Sequence, residues 1–144
     1  MSTQAEVIDI NYNALDIIRV MVVDDQRTMR SIIRGLLKDE GITDITEAAD
    51  GAQALHLIEN SETPPDVIIC DLHMAGMDGL EFCQKVRLSK VEKVREVKII
   101  ILTGDSDSMM HDISSQVGAL AVLSKPVSST VLAAEIAKAV DIAM

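Results

Sequence analysis

Four apolar runs of the sequence are each followed by side chains that can bind a metal ion or a phosphoryl group. These side chains are three carboxylates, one hydroxyl and one amine: Asp24, Asp25, Asp71, Thr103 and Lys125. Three carboxylates within a few ångströms would repel one another unless a cation lies among them. Oxygen ligands suit Mg²⁺, which commonly binds one or two carboxylates together with phosphate oxygens. These residue types therefore indicate Mg²⁺-dependent phosphoryl chemistry, provided that the fold brings them together.

Asp71 is the candidate nucleophile of this set. It ends a stiff apolar run, Val67–Cys70, and precedes a loop that contains Gly76 and Gly79. A carboxylate that attacks phosphorus forms an acyl phosphate, a recognised form of covalent catalysis. The transferred phosphoryl group also needs positive or hydrogen-bonding groups around its equatorial oxygens. The Thr103 hydroxyl, the Lys125 ammonium and N–H groups of the loop could supply them.

Alternating strand and helix patterns predict how these residues would be positioned. The predicted strands are Arg19–Val23, Asp44–Glu47, Val67–Cys70, Val97–Leu102 and Ala119–Leu123. The predicted helices are Gln26–Asp39, Ala52–Asn60, Leu80–Leu88, Asp105–Val117 and Ser128–Ala143. Such alternation is typical of an α/β protein with a doubly wound, five-stranded parallel sheet. In such a sheet, ligands bind beyond the carboxyl ends of the strands, where the candidate residues lie.

Each candidate residue has an ordinary structural explanation when it is taken alone. Asp24 and Asp105 fit helix caps or turns. Thr103 fits a strand end or a helix N-cap, and Lys125 fits an exposed surface charge. Their joint occurrence at the ends of several strands favours a functional site.

Composition and charge narrow the class of protein. Of the 144 residues, 48% are hydrophobic and 25% are charged, which predicts a soluble globular domain. The net charge of −10 argues against general nucleic-acid binding through phosphate contacts. We see no signal peptide and no apolar run of ~18 residues, so we expect a cytoplasmic protein with no membrane segment. Residues 1–17 precede the pattern, and we expect an N-terminal extension followed by one domain over residues 18–144.

Four stretches of the sequence resemble the receiver domain of bacterial two-component response regulators, most closely the stand-alone chemotaxis type. They are VMVVDDQRTMRSIIRGLLKDEG, VIICDLHMAGMDGLEF, IIILTG and AVLSKP. The resemblance spans residues 18–143 and implies a flavodoxin-like sheet with strand order 2-1-3-4-5. It also implies a phosphoprotein switch rather than an enzyme, with only autophosphorylation and autodephosphorylation. A histidine kinase or phosphotransfer protein would donate the phosphoryl group. A downstream protein target would bind the domain according to its phosphorylation state.

The resemblance assigns roles to the matched residues. Asp71 would be the phosphoacceptor, and Thr103 and Lys125 would bind the phosphoryl group. Asp25 would be a direct Mg²⁺ ligand and Asp24 a ligand acting mainly through water, and Asp71 and the backbone carbonyl of His73 would complete the protein ligands. Pro126 would follow a cis peptide bond, because X–Pro bonds are the only ones that adopt this isomer at small cost.

Four positions bear on how far the chain follows the pattern of the family. Val122 occupies the position of the switch aromatic, so no aromatic ring can rotate inward there. Ala75 stands where the family usually has proline, which loosens the loop slightly. His73 and Asp105 occupy positions that tune dephosphorylation in the family.

Two surfaces are candidates for partner docking. Basic residues form one stripe of the predicted first helix: Arg27, Arg30, Arg34 and Lys38. A solvated helix face explains the stripe, whereas the resemblance suggests docking of the kinase or phosphotransfer protein. The second candidate surface contains small and flexible apolar residues: Ala133, Ala137, Met144, Met109 and Met110. These fit core packing, or a face for targets or a second copy, so a monomer and a phosphorylation-dependent dimer both stay open.

Two other functions also stay open from the sequence. One is a receiver-like binding module that works without phosphorylation, which Val122 would favour. The other is a small Mg²⁺-dependent phosphatase with an aspartyl nucleophile. Such enzymes tend to have a second acid two residues after the nucleophile, but position 73 is histidine.

Overall fold

The computed structural model describes residues 15–104, 112 and 116–141, and these form a parallel sheet with helices on both faces. The strands are β1 (Arg19–Val23), β2 (Asp44–Ala48), β3 (Val67–Asp71), β4 (Lys98–Thr103) and β5 (Ala121–Ser124). The helices are α1 (Arg27–Asp39), α2 (Gly51–Glu59), α3 (Gly79–Arg87), α4 (Glu92–Arg95) and α5 (Ser129–Ala139). The strand order is β2-β1-β3-β4-β5. The predicted flavodoxin-like fold and its strand order are confirmed.

Two hydrophobic clusters cover the opposite faces of the sheet. Alternate residues of a strand point to opposite faces, so Ile68 of β3 joins one cluster and Ile69 joins the other. Phe82 of α3 packs in the first cluster, and Leu37 of α1 and Leu132 of α5 pack in the second. All five residues of β3 are buried. This burial on both sides explains why the central strands are nearly continuous apolar runs.

Short polar side chains begin three of the helices. The residues that precede α2, α3 and α5 each accept a hydrogen bond from a backbone N–H of the first turn: Asp50, Asp78 and Ser128. Such N-caps satisfy N–H groups that have no partner within the helix. Asp78 therefore fixes where α3 starts, directly after the loop that follows β3.

Most predicted elements begin and end within two residues of the observed ones, and the larger differences are the end of the last helix and one short helix that was not predicted. The predicted last helix extended to Ala143, but α5 ends at Ala139, and Asp141 then takes a left-handed conformation with φ of 58°. The four-residue α4 was not predicted, and it has no side-chain N-cap. Most of the predicted helix Asp105–Val117 lies outside the described residues. Among the helices that are described, none is long and apolar enough to cross a membrane.

Candidate functional site

Three carboxylates meet at the carboxyl edge of the sheet. Asp24 and Asp25 directly follow β1, and Asp71 is the last residue of β3. These two strands are parallel neighbours, with Val23 beside Cys70, so the residues that follow them lie side by side. One carboxylate oxygen from each of the three acids lies within 4.8 Å of the other two. We call Asp24, Asp25 and Asp71 the acidic cluster.

Lys125 faces the acidic cluster from the end of β5. Its Nζ lies 2.6 Å from Oδ1 of Asp71 and 4.0 Å from Oδ2 of Asp24. Its backbone N–H donates a 2.8 Å hydrogen bond to the carbonyl of Thr103, which fixes the turn after β5 against the end of β4. The Lys125–Pro126 peptide bond is cis, the isomer that the resemblance implied.

Asp24 is the most deeply buried acid of the cluster, with 1% of its surface exposed. Its Oδ1 accepts a 2.8 Å hydrogen bond from the N–H of Gln26. Burial raises the pKa of Asp24 above its ordinary value. The Gln26 hydrogen bond and Lys125 act against this rise, and the charges of Asp71 and Asp25 add to it.

The second oxygen of Asp24, Oδ2, has no hydrogen-bond partner. Within the described ranges it is the only buried side-chain oxygen or nitrogen without a hydrogen-bond partner. Leaving a buried polar atom unpaired costs about 1–3 kcal/mol. A bound cation would satisfy this oxygen and would also offset the repulsion among three carboxylates. The residues present therefore fit a hard divalent cation with oxygen ligands.

The loop between β3 and α3 closes against the acidic cluster. The N–H of Ala75 donates a 2.9 Å hydrogen bond to Oδ2 of Asp25. Gly76 has a positive φ of 77°, a conformation that L side chains rarely adopt. At Gly79, an added Cβ would lie 2.7 Å from the carbonyl oxygen of Asp71. Gly76 thus serves a turn in the loop, and Gly79 at the start of α3 serves a close backbone approach.

Thr103 and Val122 lie on the strands beside Asp71. Thr103 is fully buried and ends β4 one residue after Leu102, the register partner of Asp71. Val122 pairs with Ile101 and is partly buried against the hydrophobic cluster that contains Phe82. The structure thus places Thr103 at the edge that carries the acidic cluster. The roles predicted for Thr103, Val122 and the His73 carbonyl stay predictions.

The basic stripe of α1 is partly engaged within the protein. Arg30 Nε lies 3.0 Å and Arg34 Nη2 lies 2.8 Å from carboxylate oxygens of Glu47 on β2. Arg30 also donates a 2.6 Å hydrogen bond to the carbonyl of Asp24. Although partial burial raises the pKa of Glu47, the hydrogen bonds from both arginines lower it below its ordinary value. Among the described residues, neither Arg27 nor Lys38 makes such a contact, and both are exposed.

The described part of the second candidate surface lies in the core. Ala133 and Ala137 are buried, with 1% and 3% of their surface exposed, which agrees with the core-packing interpretation. Met109, Met110 and Met144 lie outside the described residues.

Three contacts near the site had no signal in the sequence. They are the Ala75–Asp25 hydrogen bond, the Arg30–Glu47 ion pair and the packing of Met77 against Gly51. A Cβ on Gly51 would lie 2.7 Å from Sδ of Met77. Each contact joins residues that are distant in the chain, so no local sequence pattern predicts it.

The sequence matches the model of the response regulator receiver domain over residues 20–137. The chain belongs to this family. The probable chemotaxis protein CheY of Rhizobium etli is 37% identical over 109 residues, which cover 76% of this chain and 81% of that protein. The chemotaxis protein CheY of Pseudomonas aeruginosa is 31% identical over 120 residues, covering 83% and 94%. Receiver domains of this kind are signalling switches rather than classical enzymes.

A solved receiver structure is similar in fold. It is the receiver domain of a sensor histidine kinase from Pseudomonas aeruginosa, described with a magnesium ion coordinated in its active-site cleft. Its TM-score is 0.75 at 25% identity, and the match covers 85% of this chain and 97% of that one. The acidic cluster of the present receiver domain is consistent with the phosphorylation site of the family.

Proposed function

We propose that this receiver domain accepts a phosphoryl group on Asp71 in a Mg²⁺-dependent reaction and passes the signal on by phosphorylation-controlled protein–protein interaction. The donor is a histidine kinase or a histidine phosphotransfer protein. The observation that carries the proposal is the 2.6 Å contact between Lys125 Nζ and Asp71 Oδ1 beside two further carboxylates. This combination gives one reactive carboxylate, one cation for phosphoryl oxygens and a set of oxygen ligands for a metal ion.

The transfer uses Asp71 as the nucleophile. A carboxylate oxygen of Asp71 forms a bond to phosphorus, and the bond from phosphorus to the donor breaks, with its electron pair leaving on the donor. Lys125 already contacts Asp71 Oδ1, so its ammonium is in place to bind a phosphoryl oxygen as charge moves onto that group. The hydroxyl of Thr103 binds a second phosphoryl oxygen.

The metal ion of the proposal is Mg²⁺. Its ligands would be Asp24, Asp25, Asp71 and the backbone carbonyl of His73. When bound, it supplies positive charge that lets an anionic phosphoryl donor approach three carboxylates. Oδ2 of Asp24, which is buried without a hydrogen-bond partner, supports this choice, as does the magnesium ion described for the similar sensor-kinase receiver.

The proposal includes the organisation of the chain. The receiver domain comprises residues 18–144 and residues 1–17 form an N-terminal extension, which the family match over residues 20–137 supports. The domain promotes only its own phosphorylation and the hydrolysis of its own aspartyl phosphate. It turns over no external substrate.

Labelling with a small phosphoryl donor tests the proposal. The protein is incubated with Mg²⁺ and acetyl phosphate, and its mass is followed by intact mass spectrometry, with Asp71→Asn as the control. We expect one phosphoryl group per chain in the wild type and none in the variant. Absence of label would instead support a phosphorylation-independent module. Rapid release of phosphate over many turnovers, with no lasting label, would support a phosphatase.

Docking of the phosphoryl donor is assigned to the exposed part of the basic stripe. Charge reversal at Arg30 or Arg34 would also break the ion pairs with Glu47, so Arg27→Glu is the cleaner variant. We expect it to slow transfer from a phosphorylated phosphotransfer protein but not from acetyl phosphate. Lys90→Glu, at another exposed site, is the matched control. Equal slowing with both donors would contradict docking at Arg27.

A further inference from the structure

The carboxylate of Asp25 is held by the loop that follows the phosphoacceptor. Asp25 is exposed, and Oδ2 accepts the 2.9 Å hydrogen bond from the backbone N–H of Ala75. Among the residues that the structure describes, this N–H is the only hydrogen-bond donor to Asp25. An exposed aspartate beside Asp24 and Asp71 would otherwise turn toward water, because like charges repel. The Ala75 N–H opposes that movement with a charge-assisted hydrogen bond.

The donor itself is fixed by its neighbours in the loop. Gly76 makes the turn directly after Ala75. Met77 then packs in the space left by the absent side chain of Gly51, at the start of α2. Gly79 closes the loop with a 2.8 Å hydrogen bond from its N–H to the carbonyl of Leu72. The Ala75 N–H is thus oriented by contacts of its loop with the elements around the acidic cluster.

A hydrogen bond at Oδ2 is compatible with metal binding by the same carboxylate. An ionised carboxylate has about four lone-pair sites, so one N–H bond leaves acceptor capacity for a cation. Proline at position 75 would remove the bond, since proline has no backbone N–H.

We propose that the backbone N–H of Ala75 is a positioning group that presents the Asp25 carboxylate to the divalent cation. This inference rests on the proposed function, in which Asp25 is a metal ligand. It assigns a binding role to a position whose side chain is only a methyl group, and it makes the metal affinity depend on whether residue 75 carries an N–H.

Calorimetric titration with Mg²⁺ tests the inference on three proteins: wild type, Ala75→Pro and Ala75→Ser. We expect Ala75→Pro to raise the Kd for Mg²⁺ about fivefold, because the ion must then order an Asp25 side chain that is no longer held in place. Ala75→Ser keeps the N–H, so its Kd should lie closer to wild type than to Ala75→Pro. Equal Kd values for wild type and Ala75→Pro would overturn the inference alone. A wild type that takes up no Mg²⁺ would overturn the proposed function with it.

Amide hydrogen exchange at Ala75, measured by NMR, provides a second test that needs no proline variant. We expect slower exchange in the wild type than in Asp25→Ala, and we expect this protection to persist when Mg²⁺ is added. An unchanged exchange rate in Asp25→Ala would overturn the inference. Loss of protection on adding Mg²⁺ would also overturn it, because it would mean that the cation displaces the N–H.

Discussion

The ammonium of Lys125 lies 2.6 Å from Oδ1 of Asp71, and their side chains are only 23% and 10% exposed. The two residues come from the ends of β5 and β3, and β4 lies between these strands in the sheet. Their contact therefore depends on the register across three strands, in which Asp71 pairs with Leu102 and Thr103 pairs with Ser124. A one-residue slip of β5 would move Lys125 away from the phosphoacceptor.

Replacement of Lys125 by methionine should impair phosphorylation without preventing folding. The variant loses the ammonium group that contacts Asp71 but keeps an apolar side chain of similar length. We expect the rate of labelling by acetyl phosphate to fall about 100-fold, as for the loss of one group that stabilises transition-state charge. Lys138→Met is the control, because the Lys138 side chain is 73% exposed and, within the described part of the chain, pairs only with Glu135 on its own helix. A labelling rate equal to wild type would remove Lys125 from the mechanism.

Asp24 should make the stability of the Mg²⁺-free protein depend on pH. Its pKa is raised from 3.8 in the folded state, chiefly by burial. Between 3.8 and the raised value, the folded state therefore binds more protons than the unfolded state. The contribution of Asp24 to the free energy of unfolding falls as pH rises through this window and stays low above it.

Asp24→Asn should therefore stabilise the Mg²⁺-free protein. Asparagine keeps an oxygen for the N–H of Gln26 but carries no charge into the buried site. We expect the free energy of unfolding at pH 7 to rise by about 1 kcal/mol, as measured by urea denaturation at several pH values. Added Mg²⁺ should stabilise the wild type more than the variant. A variant less stable than wild type at neutral pH, without metal, would refute this account of Asp24.

The sequence predicted the sheet because its strands leave a local signal. Burial on both faces makes β1, β3 and β4 nearly continuous apolar runs, and the end of each run places the next polar residue at the carboxyl edge. The placement of Asp24, Asp25 and Asp71 at one edge follows from this pattern.

The remaining features depend on side-chain directions and chain distances that no local pattern encodes. The sequence pattern predicts Arg30 to be a surface charge on an amphipathic helix. In the structure, Arg30 forms an ion pair with Glu47 on β2 and donates a hydrogen bond to the carbonyl of Asp24. The Ala75–Asp25 contact joins residues 50 positions apart. The end of α5 was predicted too late because Val140 continues the apolar stripe, although the helix stops at Ala139.

Gly79→Ala should disturb the phosphoacceptor directly. Its Cβ would lie 2.7 Å from the carbonyl oxygen of Asp71 and 3.0 Å from Cα of Leu72. Both are backbone atoms, so relief requires a shift of the end of β3. We expect the free energy of unfolding to fall by about 2 kcal/mol and labelling by acetyl phosphate to slow.

Gly35→Ala is the matched control for this substitution. Gly35 lies on the exposed side of α1, where an added Cβ meets nothing within 4 Å. Because alanine favours the helix over glycine, this variant should gain up to about 1 kcal/mol. Denaturant titrations of both variants measure the difference. Similar changes in stability at the two positions would show that Gly79 is not sterically required.

Arg87 should stabilise the edge of the sheet opposite to the acidic cluster. Its guanidinium donates hydrogen bonds of 2.6–3.2 Å to the backbone carbonyls of Gly118, Arg95 and Val97. These carbonyls lie before β4 and β5, so one side chain joins the end of α3 to the entry of both strands. Burial lowers the pKa of Arg87 from its ordinary value.

Arg87→Met would keep the apolar stem and leave these carbonyls without their donor. We expect the free energy of unfolding to fall by about 2–3 kcal/mol, whereas Lys85→Met, at an exposed position of the same helix, should change it by less than about 0.5 kcal/mol. Since the contacts lie at the amino ends of the strands, labelling of the folded protein by acetyl phosphate should keep its wild-type rate. A slower rate with unchanged stability would mean instead that Arg87 acts on the site across the length of β4.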